Sequence, residues 1–248
     1  MKKIILILLM TKSFLLAGVL NVALAANVSY AIDELKKSFH QKYPDIKISL
    51  TIGGSGKLSA QIQNGAPYDI FMSANMLYPQ RLYQKKLALN KPRIYAEGAL
   101  AMVSVKREDF SRGIALVTAD NIKRIAIANP KTAPYGKATI EALKNAKLYT
   151  RVQKKFIYAE SIAQTLSYTM HAAELGFIAK SALYSPKLHY LKENENWITV
   201  PTELYHPIAQ GIVILEHAHN NPDAKKFYDF ILSDEAKVIF KKYGYSVI

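Results

Sequence analysis

From Val19 onward, short runs that read as strands alternate with stretches that carry a helical apolar stripe. That alternation confines the chain to α/β architectures with mostly parallel sheets. Residues 19–25 read as a buried strand, followed by a turn at Asn27 and a helix from about Tyr30. The helix has apolar positions at Ile32, Leu35 and Phe39 and is ended by Pro44. Residues 46–52 alternate through Ile46, Ile48, Leu50 and Ile52, the period of a strand. Helices follow over 57–64, 79–86, 139–145 and 162–173, and strands over 69–72, 99–105, 124–128, 176–179 and 208–215. Two helices, 222–232 and 234–243, close the chain. In such sheets, ligands sit where strands end and helices begin. Three turns qualify: Ala26-Asn27, Gly53-Gly54-Ser55-Gly56, and the stretch from Asn129-Pro130 to Tyr135-Gly136.

The 248 residues suit one large domain or two lobes of about 100 residues each. Half are hydrophobic and 21% are charged, enough to bury a core, which excludes a disordered or collagen-like chain. The absence of cysteine removes disulfides, zinc–thiolate sites, iron–sulfur clusters, thiol catalysis and a lipoprotein anchor together. The net charge of +14 invites a nucleic-acid reading. The basic residues fall instead as scattered pairs, such as Lys36-Lys37 and Lys225-Lys226, on helical stretches, with no recognition motif beside them. They read as solvated faces, and the expectation is no nucleic-acid partner.

Met1-Lys2-Lys3 followed by the apolar runs 4–10 and 14–17 reads as a secretory signal peptide. Lys12 interrupts the apolar stretch, which argues against a spanning helix of ~20 apolar residues. Ala23-Leu24-Ala25 fits the small-x-small cleavage rule better than Leu15-Leu16-Ala17. Cutting after Ala25 would delete a strand, so the signal is assigned to residues 1–17 and the mature start to near Gly18.

Gly53-Gly54-Ser55-Gly56-Lys57 reads either as a tight turn with Ser55 as helix cap or as an anion cradle of free N–H groups at a helix start. Its spacing is neither that of a P-loop nor that of a dinucleotide fingerprint. The Asn27 amide is a candidate donor to a ligand or a cap, in competition with Ser29. Tyr135 offers a backbone N–H or a hydroxyl, and Ile162, after Glu160-Ser161, only its N–H. Asp69 is a lone carboxylate that reads as structural, and His217-Ala-His219 lacks metal-site spacing. No paired acid and base stands out, so no catalytic residue is assigned.

Several of these segments together resemble the periplasmic molybdate-binding proteins of ABC transporters. They are Ala25-Ala26-Asn27-Val28-Ser29; Gly54-Ser55-Gly56-Lys57-Leu58 with Asn64-Gly65-Ala66-Pro67-Tyr68-Asp69-Ile70-Phe71; Pro134-Tyr135-Gly136; and Gly176-Phe177-Ile178-Ala179-Lys180-Ser181. Tyr205-His206-Pro207-Ile208-Ala209-Gln210-Gly211 and the ending 240–245 fit as well. The resemblance implies an α/β, two-lobed fold of the type II periplasmic-binding-protein kind, each lobe a mainly parallel sheet flanked by helices, joined by a two-strand hinge. Lobe 1 would comprise residues 18–97 and 215–248, and lobe 2 residues 98–214. It further implies a tetrahedral molybdate or tungstate held through its oxygens by neutral donors at Ala26, Asn27, Ser55, Tyr135 and Ile162. No protein side chain would ligate a metal cation directly, and no cofactor is implied. The chain would be a periplasmic monomer that delivers its ligand to permease subunits at the inner membrane. Two positions depart from many relatives: Asn27 stands where they have Ser, and Ala179 where some have Tyr. Ala26 offers an N–H where relatives with Asn use a Thr hydroxyl. The alternatives are the same fold holding sulfate or another small anion, and a secreted hydrolase.

Overall fold

A computed structural model describes residues 19–247. The signal peptide expected over 1–17 and the start near Gly18 lie outside the described residues. The strands are β1 (Leu20–Ala25), β2 (Ile48–Gly53), β3 (Ile70–Ser73), β4 (Arg93–Gly98), β5 (Leu100–Val103), β6 (Ile125–Ala128), β7 (Phe156–Ala159), β8 (Leu175–Ala179), β9 (Trp197–Thr199) and β10 (Ile208–Ile214). The α-helices are α1 (Ile32–Lys42), α2 (Ser55–Gln63), α3 (Leu77–Gln84), α4 (Pro134–Asn145), α5 (Tyr149–Val152), α6 (Ile162–His171), α7 (Pro222–Ile231) and α8 (Asp234–Lys242). Short 3-10 turns join several of them, including Ala26–Tyr30 directly after β1 and Lys180–Tyr184 directly after β8.

The strands form two five-stranded sheets, ordered β2-β1-β3-β10-β4 and β7-β6-β8-β5-β9. β1 pairs in parallel with β2 and β3, and β6 with β7 and β8. β10 runs antiparallel between β3 and β4, and β5 antiparallel between β8 and β9. Each sheet is the floor of one lobe. Leu20, Val22, Leu24, Ile70 and Met72 pack with Leu35, Phe39, Phe227 and Phe240 in the first. Leu100, Met102, Ile125, Ile127, Leu175 and Phe177 pack with Ala142 and Leu143 of α4 in the second. These strands are buried on both faces, which explains their continuous apolar runs rather than strict alternation.

The chain crosses between the sheets twice, at Ala99 between β4 and β5 and across 200–207 between β9 and β10. The lobe boundary expected at 214/215 therefore moves. β10 lies in the first sheet, so lobe 1 regains the chain at Ile208. A run of seven residues, mostly buried, carries no mark in its sequence of which sheet will take it.

α4 begins at Pro134, five residues earlier than the apolar stripe suggests. Three strands have no clear signal in the sequence: β4, β7 and β9. All three are sheet edges, where only partial burial is needed and the apolar pattern weakens. Among the described residues no helix is long and apolar enough to cross a membrane.

Candidate functional site

Between the lobes lies a small cavity of about 10 Å³. It is lined by Ala25, Ala26, Asn27, Gly53, Gly54, Ser55, Ala74, Ala133, Pro134, Tyr135 and Ile162. All five residues expected at the ligand are there, carried by four different segments. No lining residue is charged. A second cleft volume, about 200 Å³, opens beside it past Gly53, Gly54, Lys57, Glu160 and Ser161. A third, about 170 Å³, opens past Ala74, Asn75, Pro134, Lys137, Glu141 and His206.

Each wall is a helix start. The 3-10 turn opens at Ala26, α2 at Ser55, α4 at Pro134 and α6 at Ile162. The first residues of a helix have N–H groups without intrahelical acceptors. Aligned peptide dipoles place roughly half a positive charge at such an end. Pro134 has no N–H to leave unpaired and pre-sets the first turn of α4, so Tyr135 is the first donor there. α6 is capped by Ser161, whose Oγ accepts the Gln164 N–H at 3.2 Å. Gln164 in turn accepts the Glu160 N–H through its side chain at 2.6 Å. This reciprocal arrangement has the logic of a capping box and fixes the direction of the Ile162 N–H.

Ser55 is 1% exposed, and its Oγ accepts the Ala74 N–H at 2.9 Å from the end of β3. Its acceptor side is thereby occupied, and the hydroxyl proton is left to donate. Ser55 is therefore not the helix cap considered from the sequence; Gly54 takes the cap position. Ser29, the other cap candidate, donates to the Ala26 carbonyl at 2.7 Å.

Asn27 behaves differently from expectation. Its Nδ2 donates to Gln210 Oε1 at 2.8 Å and to the Tyr245 hydroxyl at 2.9 Å. The direction of this amide is set by its neighbour: Gln210 Nε2 donates to the Ile208 carbonyl at 3.1 Å, so Oε1 must face Asn27. Both amide protons are thus engaged inside the protein, and Asn27 Oδ1 is buried without a partner. The side-chain donor expected of Asn27 is not available to a ligand; its backbone N–H, in the first turn of the 3-10 segment, is. The Asn27 carbonyl is also held, by the hydroxyls of Tyr245 at 2.8 Å and Ser181 at 3.0 Å. Ser181 belongs to lobe 2, so this contact joins the lobes behind the cavity.

The Tyr135 side chain turns toward the crossing at Ala99. A methyl group added at Gly98 would lie 2.1 Å from the Tyr135 hydroxyl, so the phenol lies directly over that glycine. The hydroxyl is fully enclosed and has no hydrogen-bond partner of ordinary geometry. Burial, followed by the nearby phenols of Tyr245, Tyr95 and Tyr205, holds it far above the usual tyrosine range, and it stays protonated. Of the two groups Tyr135 offers, the backbone N–H is the one at the helix start. Ala179 is buried and does not line the cavity. Asp69 accepts the Asn21 N–H at 2.7 Å and contacts His217 Nδ1 at 3.1 Å, away from the cleft. It is structural, as its sequence setting suggests.

Gln210, Tyr245 and Ser181, which hold Asn27, escaped sequence reasoning as site residues. They come from β10, the C-terminal segment and the turn after β8. Only the folded topology brings them to Asn27.

The model of the bacterial extracellular solute-binding protein family matches residues 20–246. The molybdate-binding protein ModA of Azotobacter vinelandii is 34% identical over 233 residues, 93% of this chain and 91% of that protein. A solved structure of the periplasmic molybdate-binding protein from the same organism superposes with a TM-score of 0.85 at 30% identity, covering 92% of this chain and 99% of that one. The sulfate-binding protein SubI of Mycobacterium tuberculosis, at 11% identity and TM-score 0.76 over 93% of this chain and 87% of its own, shares the fold. The molybdate-binding protein ModA of Rhodobacter capsulatus is 33% identical over 92% of this chain and 88% of its own length, and this chain belongs to the bacterial extracellular solute-binding proteins.

Proposed function

We propose that the protein is the periplasmic component of an ABC importer that captures molybdate, and equally tungstate, between its lobes and hands it to the membrane permease. One observation carries the reading: four helix starts from two lobes meet at a cavity lined by no charged side chain. A dianion in a dry cleft must have its oxygens satisfied by donors. The backbone N–H groups of Ala26, Asn27, Ser55, Tyr135 and Ile162, with the Ser55 hydroxyl, supply them. Hydrogen bonds to charged groups contribute about 1.5–3 kcal/mol each. Partial charges of roughly +0.5 at each helix start oppose the two negative charges without a cation that would hold the ligand too tightly to release. A donor-only set disfavours an oxyanion that keeps a proton at neutral pH, such as phosphate. Lobes that meet at a fixed distance set the ligand radius, and so separate molybdate and tungstate from the smaller sulfate. The likeness to ModA over nearly the whole chain supports the same ligand.

The test is calorimetry of the mature protein with sodium molybdate, tungstate, sulfate and phosphate. The expected outcome is one site that takes molybdate and tungstate far more tightly than sulfate, and no phosphate binding. A site that prefers sulfate, or no molybdate binding, refutes the reading.

A further inference from the structure

At the start of α2, Gly54 and Gly56 belong to a run that reads from the sequence as an anion cradle or a tight turn. Their contacts give them a different task. The Gly56 N–H does not face the cavity; it donates to the Thr132 carbonyl at 2.9 Å. Gly56 belongs to lobe 1 and Thr132 to the loop before α4 in lobe 2, so this is a backbone-to-backbone bond across the cleft. A Cβ built on Gly56 would stand 2.7 Å from Thr132 O and 3.0 Å from Thr132 Cα, with the Tyr78 hydroxyl at 2.8 Å. The tyrosine tip can swing away, but the two main-chain atoms cannot. Their loop is braced by Thr132 N–H and Ala133 N–H on the Asn129 carbonyl, at 3.2 and 2.8 Å, and by Asn129 N–H on the Ala159 carbonyl at 2.8 Å. The Asn129 side chain takes the Lys131 N–H as well, at 3.0 Å. Gly54 repeats the pattern more loosely, with its absent Cβ 3.1 Å from the Glu160 carbonyl of lobe 2. Lys57 and Glu160 pair across the same rim. Gly56 is not among the glycines with positive φ, so its own backbone does not demand glycine.

We propose that Gly56 determines closure: its bare N–H docks on the Thr132 carbonyl as a latch beside the ligand, and any side chain at this position holds the lobes apart. The proposal rests on the cavity being the ligand site. Gly56 is a positioning residue, because it acts on the ligand only through the closed state. Within lobe 1 the added methyl group meets the movable Tyr78 hydroxyl. Alanine forms helix better than glycine, so the latch makes an unusual prediction about stability.

The experiment compares wild type with Gly56→Ala by calorimetry, stopped-flow dissociation, thermal melting and small-angle scattering, with sodium molybdate as probe and tungstate and sulfate in parallel. The latch predicts that the ligand-free variant melts no lower than wild type. It also predicts that Kd for molybdate rises ten-fold or more through a faster off-rate, and that the ligand-induced decrease in radius of gyration is lost. A variant that binds and compacts as wild type does overturns the proposal. If the variant melts early, amide exchange on wild type decides: molybdate must slow exchange at Gly56 at least ten-fold, and unchanged exchange overturns the latch. If wild type binds none of the three anions, the ligand reading fails. The latch is then judged on the ligand-free pair, where a more expanded Gly56→Ala supports it and an identical radius overturns it.

Discussion

Ser55 and Asn27 line the same cavity, yet they are built for different work. Ser55 has its acceptor side occupied by Ala74 N–H and a proton free to donate. Ser55→Ala should lose a charged hydrogen bond, about 1.5–3 kcal/mol, raising Kd for molybdate by roughly 10- to 150-fold, and should also lower the melting temperature because the buried Ala74 N–H is left without its acceptor. Asn27 has both amide protons engaged by Gln210 and Tyr245. Asn27→Ala leaves Gln210 Oε1 buried without its best donor. It should destabilise the fold by about 1–3 kcal/mol, lowering the melting temperature by roughly 2–4 °C per kcal/mol. Thermal melts and calorimetry on the two variants test these roles; an Asn27→Ala protein that melts as wild type does would refute the assignment for Asn27. The turns that line the cavity were legible as helix starts, whereas the choice of the five residues within them came from the family resemblance and not from the turns themselves. The orientation of the Asn27 amide was not legible, because it is set by Gln210, 183 positions away.

Whole helices, not single donors, aim the N–H groups, so their caps matter to binding. Ser161→Ala removes the cap of α6 and should cost about 0.5–2 kcal/mol of stability. The freed first turn frays where Ile162 meets the cavity, so molybdate affinity should fall as well; stability loss with unchanged Kd would show that α6 does not hold the ligand. Far from the cleft, α1 and α8 are tied by Glu34, which accepts from Lys242 Nζ at 2.8 Å and from the Tyr243 hydroxyl at 3.2 Å. The Lys242 hydrogen bond first, then Tyr243 and nearby lysine charge, hold the Glu34 carboxyl below its ordinary value. A carboxyl lowered by folding adds stability above its unfolded pKa and loses that contribution as pH falls through its folded pKa. Glu34→Gln should therefore melt below wild type at pH 6, and the gap should narrow as pH drops past 4 toward 3. A gap that is the same at both pH values would refute this. At this scale the interior strands declared themselves as apolar runs, whereas β4, β7 and β9 did not. A three- or four-residue edge strand such as β9 or β7 is specified by the neighbour it pairs with, not by its own residues.

The molecule as a whole is strongly basic, +14 over the full sequence, while the cavity that should hold an anion contains no charged side chain. Long-range attraction and final capture are thereby assigned to different atoms. Surface charge acts over a Debye length of about 10 Å at 0.1 M salt and is screened beyond it. The enclosed donors are screened much less. Raising salt from low to high concentration should slow molybdate association and leave dissociation nearly unchanged, as stopped-flow traces would register; a salt-sensitive off-rate would contradict the division. The placement of β10 bears on how such a molecule comes into being. Lobe 2 is one continuous stretch from β5 to β9, whereas the sheet of lobe 1 waits for a strand that lies more than a hundred residues after β4. As the chain emerges from its N-terminus, the second lobe has everything it needs while the first still lacks the strand between β3 and β4. Residues 19–98 accordingly cannot complete their sheet until β10 has been made. A chain that must be threaded through a narrow translocation channel benefits from such a delay, because its leading end has no finished tertiary structure to undo.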